Sequence, residues 1–153
     1  LPVFGLPQAA QIIIDSFKYL QQEGLVIHAW VILENHIHLI ASSPQLSKDM
    51  QRFKTYTAKQ LLSLLETRGA KTILDQLRYY KKSYRGEGKD IQFWQEGVHP
   101  QRIDNETMMR QKIDYIHQNP VKRGYVELPE YWRYSSIHNY LGGNGMMAVE
   151  TQW

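Results

Sequence analysis

From Leu25 to Ala41 the chain is apolar at nearly every position, and the few exceptions constrain what it can fold into. Leu25 to Leu33 reads as a strand, Glu34-Asn35 turns the chain, and His36 to Ala41 returns as a second strand. This hairpin is the expected centre of a sheet, and its apolar density on both faces calls for helices over at least one side. Side chains alternate across a strand, so His36 and His38 share a face where hydrophobic residues should continue. A lone histidine in such a run is usually a satisfied core residue. Burying two without partners costs on the order of several kcal/mol, whereas one divalent cation satisfies both.

The rest of the chain supplies helices. Pro7 to Glu23 carries Ala10, Ile13, Ile14, Phe17 and Leu20 on one stripe, with Pro near its start and Gly24 at its end. Ser47 is placed to cap a helix running to about Leu65, with Asp49 in its first turn and Met50, Phe53, Thr57, Leu61 and Leu64 inward. A further helix is expected over Lys71 to Tyr84, broken at Arg85-Gly86-Glu87-Gly88. Short strands follow at Ile91 to Gln95 and Val98 to Ile103. Asp104 or Asn105 then caps a helix from Glu106 to about Gln118, with Met109, Ile113 and Ile116 inward. Met108, Lys112, Tyr115 and Asn119 fall on its other side, and Pro120 is expected to end it at Asn119. Leu128 to Ser136 reads as a turn and a short aromatic-rich segment.

A chain of 153 residues fits one domain with a substantial core. With no cysteine, neither a disulfide framework nor a thiolate metal site is available, and His, Asp, Glu, Asn and Gln remain as ligands. That composition suits a reducing, intracellular setting. No apolar stretch approaches the roughly 20 residues of a membrane span, and the N-terminus lacks the order of a signal peptide. The expectation is a soluble, cytoplasmic protein. A net charge of +3 combined with 10 tyrosines suits nucleic acid, because cations neutralise phosphates and aromatic faces stack on unpaired bases.

An oxygen donor beside the histidine pair would favour Mg²⁺ or Mn²⁺. Asn119 supplies one, and it shares a helix face with Tyr115. His117 is the rival, but it points roughly 100 degrees away from its neighbour's direction. For phosphate contacts the candidates are Arg52, Lys54, Arg78, Lys81, Lys82, Lys112, Lys122 and Arg123, with Trp132 or Tyr134 for stacking.

Asn35-His36-Ile37-His38-Leu39, then Phe93-Trp94-Gln95-Glu96-Gly97, then Asp114-Tyr115-Ile116-His117-Gln118-Asn119-Pro120-Val121-Lys122, and last Pro129-Glu130-Tyr131-Trp132-Arg133-Tyr134-Ser135-Ser136, follow in an order with a known counterpart. In these motifs the chain resembles the REP-associated tyrosine transposases, within the HUH single-tyrosine nucleases. The resemblance covers nearly the whole sequence. It implies an α+β fold, a ferredoxin-like antiparallel sheet with packed helices, with the histidines on a central strand and the tyrosine on a helix across from it. By position, His36 and His38 match the HUH histidines, Tyr115 the nucleophile and Asn119 the amide ligand. The implied substrate is single-stranded DNA beside a hairpin, at repetitive extragenic palindromes, with a monomer and a homodimer both open. The sequence departs from the pattern twice. The family usually has a strand ahead of the counterpart of Leu1-Pro2-Val3-Phe4, where this sequence begins, so one core strand is expected to be missing or replaced. Glu34 also stands where proline is common, which is expected to alter the turn and not the metal chemistry.

The chemistry expected of this set is in-line attack by Tyr115 on a metal-bound phosphate, leaving a 5′-phosphotyrosine and a free 3′-hydroxyl. A phenol of ordinary pKa near 10 needs help to lose its proton, and Lys112, one turn earlier, is placed to favour the phenolate. Two other readings stay open: a hairpin-binding module that retains the fold without turnover, and a metal-dependent phosphohydrolase that uses water.

Overall fold

The computed structural model describes residues 3–69 and 103–153. The predicted helix from Lys71, the glycine break, the strand pair beginning at Ile91 and the candidates Arg78, Lys81 and Lys82 lie outside these residues. Within them, α1 (Pro7–Gln22) leads into an antiparallel hairpin of β1 (Val26–Ile32) and β2 (Ile37–Ser42), followed by α2 (Leu46–Thr67). After the undescribed stretch come α3 (Glu106–Lys122) and a one-turn helix, α4 (Ile137–Tyr140). The class is α+β, as expected from the sequence.

α1 ends where the sequence says it should. Gly24 adopts φ +113°, and the Gly24 and Leu25 amides donate back to the carbonyls of Gln21 and Leu20 at 3.2 and 3.0 Å. That pair of bonds is the Schellman closure, which needs a residue tolerant of positive φ. The chain is thereby turned directly into β1.

The hairpin is covered on both faces. Ile27, Trp30 and Ile32 pack with Ile13, Phe17 and Leu20 of α1 and Phe53, Leu61 and Leu65 of α2. Phe17 and Phe53 stack with centroids 4.3 Å apart and planes 3° from parallel, joining the two helices. Ala29, Val31 and Leu33 face the other way, onto Met109, Ile113 and Ile116 of α3. Ile27 and Trp30 share a face although they are three residues apart, because the register slips between Ile27 and Ala29 and leaves His28 as the extra residue of a bulge.

Two expectations are corrected here. The α2 cap is not Ser47, which is exposed in the first turn; Gln45 holds the cap position without a side-chain bond. The organising hydroxyl is Ser43, which accepts from the Gln45 amide at 3.2 Å and donates to the buried Asp49 carboxylate at 2.5 Å. Asp49 thus places negative charge at the helix N-terminus, where the exposed amides favour it. Pro120, second, does not end α3. The helix runs on to Lys122, since proline's fixed φ is compatible with a helix and the cost is one missing amide donor. The aromatic segment after Leu128 follows a one-turn helix at Pro129–Tyr131, as the turn reading implies, and also bonds to β1. Ile32 donates to the Tyr134 carbonyl and Ser136 to the Trp30 carbonyl, both at 2.9 Å, with Val31 bridged to Ser135. This places an isolated bridge, not a third strand, along the edge of β1 away from β2.

Candidate active site

His36 and His38 reach the α3 side of the hairpin through the alternation of β2. His38 pairs with Val31 across the ladder, and Ile40, two residues on, packs beside Ala29 and Val31. The two imidazoles stand 4.8 Å apart, nearly perpendicular at 82°. Both favour the neutral form. Burial pushes His38 down to about 4, helped by His36 and Arg123, and burial with the Arg123 charge lowers His36. Asn35 Oδ1 lies 2.6 Å from His36 Nδ1, so Nδ1 donates and the lone pair of His36 is on Nε2.

Across from the pair, α3 is fixed at its start by Asn105, the one of the two cap candidates that serves. Its side chain accepts from the Met108 amide at 2.8 Å. Burial of Met109, Ile113 and Ile116 against β1 then sets the helix rotation and brings Tyr115 over the histidines. The Tyr115 ring meets the His38 ring edge to face, with centroids 5.7 Å apart and planes at 89°. The tyrosine is still 50% exposed, so a substrate can reach it. The Lys122 ammonium lies 5.4 Å from the ring centroid. Lys122 follows Tyr115 by two turns of α3, and Lys112, which helical spacing singled out, precedes it by one.

Asn119 is buried, not on a solvent side of α3, and its Oδ1 has no hydrogen-bond partner. His38 Nε2 is buried and unpartnered in the same way. Such atoms normally find partners, so two on the elements flanking one tyrosine suit a ligand that accepts both lone pairs. His38 Nε2 and Asn119 Oδ1, like His36 Nε2, are donor types compatible with Mg²⁺ or Mn²⁺. His117 is not part of this group. It is buried, lies 2.8 Å from Ser136 Oγ, and packs edge-on against Tyr140 with centroids 5.1 Å apart.

The C-terminus of α3 closes like that of α1. Gly124 at φ +79° lets the Gly124 and Tyr125 amides return to Val121 and Pro120 at 2.9 and 3.0 Å. This turn aims Arg123 and Tyr125 at the hairpin loop. The Tyr125 hydroxyl donates to the Glu34 carboxylate, and Arg123 lies 3.5 Å from the same oxygen. A second guanidinium nitrogen of Arg123 donates to His36 Nε2 at 3.0 Å. Besides standing in the turn, Glu34 therefore reaches two residues delivered by the end of α3.

No profile of a known protein family matches the sequence. Over 107 residues, 70% of this chain and 56% of the other, it is 30% identical to a Haemophilus influenzae protein described as a REP-associated tyrosine transposase. Over 112 residues it is 27% identical to the REP-associated tyrosine transposase of Escherichia coli K12, covering 73% of this chain and 54% of that one. The chain is a homologue of the REP-associated tyrosine transposases. It spans about half the length of the curated relatives it matches, 56% and 54% respectively. The solved structure of a REP-associated tyrosine transposase bound to a REP hairpin shares its fold, with a TM-score of 0.62 at 22% identity over 97% of this chain and 78% of that one.

The candidate DNA contacts divide between two layers. Lys112, Lys122 and Arg123 belong to α3 and its cap, the layer of Tyr115. Arg52 and Lys54 belong to α2, across the sheet, where Arg52 pairs with Glu23 at 2.9 and 3.2 Å. Trp132 donates from Nε1 to the Ile32 carbonyl at 3.0 Å and stacks on Tyr125, and Tyr134 packs against the α1/α2 core. Sequence reasoning missed Asn35, Tyr125 and Ser136. Asn35 could have been found as the neighbour that sets a tautomer, whereas Tyr125 and Ser136 act only through tertiary contacts.

Proposed function

We propose that this chain carries the chemistry of a metal-dependent single-stranded DNA transesterase, acting beside a DNA hairpin and without a nucleotide cofactor. The observation behind this reading is the Tyr115 ring set edge-on against His38, with unpartnered ligand atoms on the strand and helix that flank it. His36, His38 and Asn119 would hold Mg²⁺ or Mn²⁺, and the chemistry such a cation supplies is Lewis-acid polarisation of the scissile phosphate. Tyr115 attacks phosphorus through Oη. The new bond is a 5′-phosphotyrosine, the bond to O3′ breaks, and the proton lost by the phenol balances the one gained by the 3′-hydroxyl. Lys122, over the ring, attracts the negative charge that develops as the proton leaves. Because the adduct retains the phosphodiester bond energy, a 3′-hydroxyl can reverse the step and join a new strand.

Lys112, Lys122 and Arg123 supply phosphate contacts in the same layer. The hairpin is the proposed partner because the protein of the same fold was solved on a REP hairpin. Among the described residues, no helix is long and apolar enough to cross a membrane, in keeping with action on DNA in the cytoplasm.

The test is denaturing electrophoresis after incubation with labelled hairpin-bearing single-stranded DNA and Mn²⁺. A labelled protein band that requires metal and is lost in Tyr115→Phe is the expected result. Cleavage that survives Tyr115→Phe would instead identify water as the nucleophile, and binding without adduct would identify a module that does not turn over.

A further inference from the structure

Arg123 is joined to two groups at once. One guanidinium nitrogen donates to His36 Nε2 at 3.0 Å, and the other lies 3.5 Å from a Glu34 carboxylate oxygen that also accepts from Tyr125. Asn35 fixes the His36 tautomer with its hydrogen on Nδ1, so Nε2 is the only ring lone pair that His36 has to offer. The guanidinium sits on that lone pair. A guanidinium stays protonated throughout the working pH range, so it can neither ligate a cation nor tolerate one beside it at low cost.

We propose that Arg123 is a latch on the metal centre, held on His36 by Glu34 and Tyr125 and released when a DNA phosphate takes the guanidinium. This rests on the reading of His36, His38 and Asn119 as metal ligands. The latch has a fixed base, since Arg123 is the cap residue and Tyr125 the closing residue of the Schellman turn that ends α3. It also has a ready exchange partner. A guanidinium binds phosphate in a bidentate fork more strongly than it binds a neutral imidazole nitrogen. Phosphate arrival therefore frees the third ligand, and metal and DNA reinforce each other's binding by the same factor. Lys122, beside it in sequence, reaches the Tyr115 ring and leaves the His36 lone pair to Arg123.

The test is Mn²⁺ titration of the whole chain, followed by the electron paramagnetic resonance of free Mn²⁺, with and without an oligothymidylate. Without DNA, Arg123→Ala should bind Mn²⁺ about tenfold more tightly than wild type, with Glu34→Gln between the two. The oligothymidylate should raise the affinity of wild type and leave that of Arg123→Ala nearly unchanged. Equal or weaker Mn²⁺ binding by Arg123→Ala, in a wild type that does bind Mn²⁺, overturns the latch and leaves the metal centre standing. An equal gain with DNA in both proteins overturns the hand-over to phosphate. Absence of Mn²⁺ binding in every variant removes the metal centre and the latch with it.

Discussion

The two faces of the β1–β2 hairpin are built by the same strands to opposite ends. One is closed, with Ile27, Trp30 and Ile32 sealed against α1 and α2 and the Trp30 Nε1 buried there without a partner. The other begins in the same way, with Ala29, Val31 and Leu33 against α3, but its row on β2 leads from Ile40 to His38, whose Nε2 is unpartnered, and to His36, bonded to Asn35 and Arg123. The closed face holds the larger apolar cluster, and the other holds the histidines and Tyr115. If that division is right, mutations on the two faces should separate stability from chemistry.

The largest separation is expected from Tyr115→Phe. It should lower adduct formation by more than about 10⁴-fold, the scale of losing a nucleophile, with little change in thermal stability because the ring is half exposed. Quantified gel bands and a melting curve on one preparation check both halves. Trp30→Ala should do the reverse, costing about 3–5 kcal/mol in denaturant unfolding while metal affinity in the surviving folded fraction is retained. Ser136→Ala tests the link between the Tyr134–Ser136 segment and β1. Its hydroxyl accepts from the buried Trp30 amide at 2.9 Å and meets His117, so its loss should cost about 1–3 kcal/mol.

His38→Leu sharpens the comparison most directly. Removing a buried, unpartnered Nε2 should leave the melting temperature unchanged or slightly raised while Mn²⁺ binding is lost. A loss of stability as large as that of Trp30→Ala would erase the distinction between the faces. The smallest expected effect is on pH dependence. His38 and His117 are both pushed down to about 4 by burial, below the ordinary value near 6.5, so the unfolded chain binds more protons between those limits. Their contribution is fully present above about pH 6.5 and is lost as the pH falls towards 4. Melting temperature against pH in metal-free protein should therefore slope downward through that window, less steeply in His38→Leu.

The local parts of this architecture were legible in the sequence. Period-two alternation placed His36 and His38 on one face, and helical spacing found the buried row Met109, Ile113 and Ile116. The apolar density of the hairpin correctly called for helical cover. What escaped depended on contacts between distant segments. Asn119 reads as exposed on a helical wheel and is buried by its neighbours. The bridge from Ser135 to Val31 exists only because β1 offers it an edge. Glu34 looked like a turn substitution because its partners, Arg123 and Tyr125, lie about ninety residues away and are delivered by a helix cap. Pro120 misled for a different reason: the bias against helix before proline is a preference, and the packing of α3 outweighs it.

The bulge at His28 makes β1 unequally sensitive to changes in length. Because Ile27 and Ala29 already pair with the adjacent residues Ala41 and Ile40, excising position 28 would leave every side chain of the strand on the face it now occupies. Excising position 31 would turn Ile32 and all that follows it to the opposite face and carry the loop that bears Glu34 with them. A one-residue deletion scan along the strand would therefore meet a single tolerant site ahead of a stretch where the reading frame of the fold cannot slip.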